Sequence, residues 1–214
     1  MYQKYFDELL AISPTINDSL NLKKYKHLQH LYPNYYSTSH IRKEKELCNK
    51  YLDLLGKKKR LNFYDKVLKY NLEIELESQD NIDILFPIDH NNNIIVFFSM
   101  SAAGEWFYKF KTHQDYYDFI ERVKMLPDIV NTMICNMRKG IAKNIVMPKI
   151  LAKKLIQQLK DAYKNKIYHN PNVPKNLSVD FNQTTHEIIS PLIKQLLEFL
   201  MKEYLPKTRE SIGL

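Results

Sequence analysis

The sequence predicts a mainly α protein, an irregular bundle of long helices. A helical hairpin falls at about 113–165, and one short extended or hairpin-like segment lies near 82–100. Three observations carry this reading. Apolar residues recur at three-four spacing through Tyr116, Phe119, Ile120, Val123, Leu126, Val130, Met133, Ile134, Met137 and Ile141. Helix punctuation brackets that run: Thr112 and Asp115 form a capping box, Pro127 marks a kink, Gly140 a stop, and Pro148 the first turn of a new helix. Paired β-branched and aromatic runs are confined to residues 81–104.

Taken in order, residues 2–12 form a first helix closed by Ser13 and Pro14. A looser stretch with a short helix at 20–31 ends at Tyr32-Pro33-Asn34. Ser37, Thr38 and Ser39 offer caps for a helix over 40–55, with Ile41, Leu47, Cys48, Tyr51, Leu52 and Leu55 inward. Asn62 caps the next helix, over 63–77, whose inward positions are Tyr64, Val67, Leu68, Leu72 and Leu76. Residues 81–104 then change character, with two apolar runs separated by Asp89-His90-Asn91-Asn92-Asn93. Pro87 assigns the first run to an edge or an irregular wrap, and Trp106 is expected to pack in the core. Helices resume over 113–139, 148–165 and about 184–204. A loop from His169 to Lys175 precedes the last, which either begins at Ser190-Pro191 or passes Pro191 with a kink. No repeat or linker divides the chain, so 1–214 reads as a single helical domain.

Composition bounds the function only loosely. Scarce glycine (4) beside 15 tyrosines and 10 phenylalanines fits an AT-rich genome, such as that of a large DNA virus or an intracellular parasite. The net charge of +8 permits an anionic partner, yet acids and bases interleave on most helices. The one dense run, Lys57-Lys58-Lys59-Arg60, reads as a basic helix end after Gly56, so nucleic acid is not the expected partner. Nothing resembles a signal peptide, and no run reaches the ~18 apolar residues of a spanning helix. An intracellular location without membrane contact is therefore expected. Cys48 and Cys135 read as separate buried thiols.

Candidate chemistry is thin. His27 and His30 share a spacing but lack a third ligand, and His40, His90, His113 and His169 fall in loops or at element starts. No Gly-x-Ser-x-Gly elbow or glycine-rich phosphate loop occurs. Arg122, near Asp115, Asp118 and Glu121, reads as a structural ion pair within its own helix.

The run Asp115-Tyr116, Arg122, Leu126-Pro127, Arg138-Lys139-Gly140-Ile141-Ala142 and Met147-Pro148 resembles, in order and spacing, the bacterial family catalogued as domain of unknown function 885. Phe199 to Pro206, with Glu203, Tyr204 and Pro206, resembles that family's "FL..EYLP" helix ending. Leu85-Phe86-Pro87-Ile88-Asp89 gives a weaker match. Longer members look like gluzincin-type zinc metallopeptidases, with two histidines and a glutamate around the ion. The resemblance implies that those ligands belong after the "EYLP" helix. No catalytic, cofactor or metal residue is therefore assigned here, and the matching residues are expected to be structural. His186-Glu187 imitates the signature but has Ser190 in place of its second histidine, and reads instead as a pair in a first helical turn. The resemblance thus implies a catalytically incompetent N-terminal portion, with zinc only in longer relatives. Its partner would be a separately encoded C-terminal half, or a second copy through exposed apolar surface. The alternative is a basic helical module that binds nucleic acid or acts as a scaffold.

Overall fold

Short polar side chains set where the helices begin. The computed structural model describes residues 1–78, 82–104, 108 and 110–211. Its principal helices are α1 (Tyr2–Ile12), α2 (Ile16–Leu20), α3 (Thr38–Gly56), α4 (Phe63–Ser78), α5 (Ile94–Ala102), α6 (His113–Ala142), α7 (Lys149–Asn165) and α8 (Lys175–Phe199). Ser37 accepts from the His40 amide at the start of α3. Asn62 and Asp65 bond each other's backbone at the start of α4, and Thr112 and Asp115 do the same for α6. These are the cap positions that the sequence marks, and the mainly α architecture is as expected.

Two apolar clusters organise the described residues. The smaller one joins α3 and α4 through Leu47, Cys48, Tyr51, Leu55, Leu68 and Leu72, with Tyr5, Leu9 and Ile12 of α1 packed against it. The larger is built on α6, whose Phe119, Val123, Leu126, Val130, Met133 and Met137 pack along α8 and share one buried cluster with residues of α5 and α7. Residues 143–148 join α6 to α7, which pack on α8 more than on each other, so the expected hairpin is splayed; Asn144 lies in the left-handed region (φ 56°). Between the clusters, residues 29–37 cross α6: Asn34 Nδ2 donates to Asp128 Oδ2 and Thr132 Oγ1, and Asn136 Nδ2 donates to the Tyr36 carbonyl.

Several local expectations are corrected. The segment near 82–100 is not a hairpin. Residues Ile82–Leu85 form a 3₁₀ turn, and the second β-branched run is helix α5, capped by Asn93. Asp89 Oδ1 accepts from the amides of Asn91 and Asn92, turning the chain into that cap. Ile94, Ile95, Phe98 and Ala102 of α5 are buried, and Val96 and Phe97 are partly so. An apolar run of this kind looks alike for a buried helix and a buried strand. The 20–31 segment is α2 followed by a 3₁₀ turn at Lys23–Leu28. Helix α8 begins at Lys175, well before Thr184, and continues through Pro191. Tyr64 and Val67 of α4 are exposed, not inward. Trp106 and Phe107 lie outside the described residues.

After Phe199 the helix widens into a π turn, Leu200–Tyr204, in which the Leu205 amide reaches the Leu200 carbonyl. A 3₁₀ turn, Leu205–Lys207, follows with Pro206 near its start, where a missing N–H costs no hydrogen bond. The chain then returns to the α6–α7 connection. Lys149 N donates to the Arg209 carbonyl at 2.8 Å, and Pro148 and Arg209 form an isolated parallel bridge. Among the described residues there is no strand beyond this bridge, and no helix long and apolar enough to cross a membrane.

Candidate functional site

A dense polar construction surrounds Arg122, which is 1% exposed. Helix α6 presents it from an otherwise apolar face, between Phe119 and Leu126. Its partner is not on its own helix, as the sequence implied, but on α2. Nη1 and Nη2 donate to the two carboxylate oxygens of Asp18 at 2.6 and 2.8 Å, and Nε donates to the Gln29 carbonyl at 2.5 Å. The guanidinium also lies over the rings of Tyr32 and Tyr108, 5.9 and 5.4 Å from their centroids. Burial opposes its charge, but the bonds to Asp18 overcome that and hold its pKa above the ordinary value. The result is a bolt between the α2 region and α6. Three of the five N–H donors of Arg122 bond protein acceptors inside the fold, which makes it an anchor between these segments.

Two turns earlier, Asp115 closes the start of α6. Its Oδ2 accepts from the amides of Lys111 and Thr112 and from the Thr112 hydroxyl, and Lys26 lies 3.6 Å from Oδ1. Burial pushes this carboxyl up, but the backbone and hydroxyl donors outweigh it, so its pKa falls below the usual range. Tyr116 stacks on Phe110 at 4.4 Å and meets Phe181 edge-on. The Tyr108 hydroxyl donates to the Asp115 carbonyl, tying the preceding segment to the same helix start.

A second group of residues gathers at the far end of α6. Arg138 makes a two-pronged pair with Glu203 at 2.8 and 2.7 Å and lies over the Phe199 ring. Tyr204, fully buried, accepts from the Met147 amide at 2.9 Å. Pro148, buried, occupies the cap position of α7, and Arg209 Nε donates to the Val146 carbonyl. Gly140 does not stop its helix, which runs on to Ala142. A side chain there would meet the backbone carbonyls of Leu85 and Ile145, each 2.7 Å from its Cβ. The glycine is required by close approach of the 82–85 turn, not by a left-handed cap. Helix α6 likewise continues through Pro127, which has no amide to bond the preceding turn.

The histidines do not assemble a metal site. His186 is on the exposed middle of α8, not in a first turn, and its Nδ1 is 3.0 Å from the Tyr168 hydroxyl. Ser190 holds the position where the signature needs a second histidine. Among the described residues no three His, Cys, Asp or Glu side chains converge as a metal-binding group. These residues therefore do not fit a gluzincin zinc centre. His40, buried, contacts Glu44 Oε1 at 3.0 Å and Ser13 Oγ at 3.5 Å, both through Nε2. A serine triad needs the acid and the nucleophile on opposite ring nitrogens, and Ser13 here donates to Glu44. This network is a buried tie between the end of α1 and the start of α3. Cys48 is buried, its thiol pushed up to about 11 by burial and by Glu75 and Glu44, whereas Cys135 is exposed, contrary to expectation.

The family-matching residues thus fall into two joints on one helix, Arg122 with Asp115 at one end and Arg138, Gly140, Pro148, Glu203 and Tyr204 at the other. The profile of the family described as "Bacterial protein of unknown function (DUF885)" matches residues 14–213. The chain belongs to this family. The match takes in α2, so in this DUF885 protein it includes Asp18 as well as Arg122. No curated protein matches the sequence. Asp18, Gln29, Tyr32 and Arg209 were missed by sequence reasoning. Their partners lie far along the chain, and no local pattern announces them.

Proposed function

We propose that this DUF885 protein supplies the helical frame of a metallopeptidase-related assembly and is catalytically incompetent by itself. In this reading the zinc ligands come from a C-terminal part, on the same polypeptide or on a second one, which docks on the frame. One observation carries the reading: the family-matching residues are engaged in holding backbone and helices together. Arg122 holds Asp18 and the Gln29 carbonyl, Tyr204 holds the Met147 amide, Arg138 holds Glu203, and Gly140 admits two carbonyls. A motif of this kind builds a support that positions chemistry located elsewhere.

The test is metal analysis and peptide hydrolysis on the purified chain, alone and co-expressed with any neighbouring frame that encodes a histidine-glutamate zinc signature. The expected result is neither stoichiometric zinc nor cleavage from the chain alone, and both from the complex. Stoichiometric zinc with chelator-sensitive cleavage by the chain alone would overturn the reading.

A further inference from the structure

Helix α4 breaks two rules that isolated helices follow. Its inner face packs on α3 through Leu68 and Leu72, but its outer face is apolar as well. Phe63, Val67, Tyr70 and Ile74 recur at spacings that place them on one stripe, and all four are exposed, Phe63 at 73% and Tyr70 at 64%. Single exposed apolar residues are ordinary, whereas a contiguous stripe along a whole helix is a contact surface. Beyond the first turn, where Asp65 caps the helix start and pairs with Lys58, the exposed charges are also inverted. Lys66 and Lys69 sit toward the start, next to the Lys57–Arg60 run, while the last turn carries Glu75 and Glu77 and no base. Acids at a helix C-terminus oppose the macrodipole, so this end is destabilised in the single chain.

From these features we infer that α4 is the interface of a symmetric dimer, in which it pairs antiparallel with α4 of a second copy. This goes beyond the frame reading and stands independently of it. An antiparallel two-fold arrangement centred between Val67 and Tyr70 sets Val67 against the partner's Tyr70 and Phe63 against the partner's Ile74. The same operation keeps each flank of the helix facing its own copy. Lys66 then lies beside the partner's Glu73, and Arg60 beside the partner's Glu77, because both pairs lie close to the same midpoint. A shallow recess lined by Arg60, Leu61, Asn62, Phe63 and Lys66 receives the partner's Ile74 and Glu77, an apolar group and an acid over apolar and basic walls. Each acidic helix end meets the basic start of the other, which relieves the inverted charge. A parallel pair would stack base on base and acid on acid. The charge pattern therefore selects a second copy as occupant.

Sedimentation equilibrium through the micromolar range tests this on the full chain. A monomer–dimer equilibrium is expected. Tyr70→Glu, at a position the fold leaves exposed, should give a monomer with unchanged circular dichroism. Lys66→Glu alone should weaken dimerisation by about tenfold, since two repulsive contacts arise from one substitution. Lys66→Glu combined with Glu73→Lys should restore it. The swap alters only exposed side chains, so it reports on the interface even if Tyr70→Glu fails to fold. A chain that stays monomeric overturns the proposal and leaves the stripe to a different protein. A dimer that tolerates Tyr70→Glu, or one that the charge swap does not rescue, overturns it too.

Discussion

Arg122 and Asp18 stand 104 positions apart in the chain and meet in a two-pronged ion pair inside the fold. Asp18 retains partial contact with solvent, while the guanidinium does not. This asymmetry decides how each side of the pair responds to substitution. Removing the acid strands a buried cation. Removing the cation leaves an acid that water can still reach.

Asp18→Ala is therefore expected to destabilise the protein by about 3–5 kcal/mol. Arg122→Met, which fills the volume and removes the charge, should cost less. Urea unfolding of the two variants and of the double variant checks the order. A double variant more stable than Asp18→Ala alone is the expected signature of a stranded charge.

Gly140→Ala should also destabilise, by about 1–3 kcal/mol, although alanine favours helix. The added methyl meets the backbone carbonyls of Leu85 and Ile145, neither of which can rotate aside. Thermal unfolding measures it. A rise in midpoint would show that the 82–85 turn can retreat.

Asp115 gives a pH dependence with a definite sign. Its folded pKa lies below the unfolded value, so its contribution is complete above the ordinary carboxylate pKa of about 4. That contribution is lost as pH falls through the depressed value. Asp115→Asn should thus lower stability at neutral pH and show a flatter acid limb. Denaturation midpoints between neutral and strongly acidic pH test both features.

Arg138 and Glu203 form their pair at the surface, where solvent and salt screen it. Arg138→Ala should give a small loss of stability that disappears in high salt. The exchange Arg138→Glu with Glu203→Arg should recover most of it. A large, salt-insensitive loss would mean that the stacking of Arg138 on Phe199 matters more than its charge.

The two thiols should separate cleanly. Cys135 is exposed and should alkylate in the native protein, whereas Cys48, buried and raised to about 11, should react only after unfolding. Mass mapping after timed iodoacetamide treatment distinguishes them.

The parts of the fold that the sequence displayed are those set by neighbours in the chain. Thr112 with Asp115, Asn62 and Ser37 are local caps, and each works where the pattern placed it. The buried stripe of α6, from Tyr116 to Met137, follows from spacing alone. Residues 94–102 were misread because burial erased the alternation by which helix and strand are told apart. Tyr64 and Val67 were misassigned because α4 is apolar on two faces, and pattern alone cannot say which one packs inward. Gly140 reads as a stop in any linear scan, since only the fold brings Leu85 against it. The joint at Arg122 was half legible: the buried cation implied an ion pair, but nothing near it named Asp18.

The π turn at residues 200–204 gives the end of the chain one residue of slack relative to a regular α-helix. That slack lets Glu203 face outward to Arg138 while Tyr204, its immediate neighbour, points inward to Met147. Winding the same residues as a regular α-helix, without the wide turn, would swing everything beyond it by about 100°. Tyr204 would leave its amide, Arg209 its carbonyl, and the return of the chain to the α6–α7 connection would come undone. The irregular turn thus acts as the hinge pin on which the final segment is clocked.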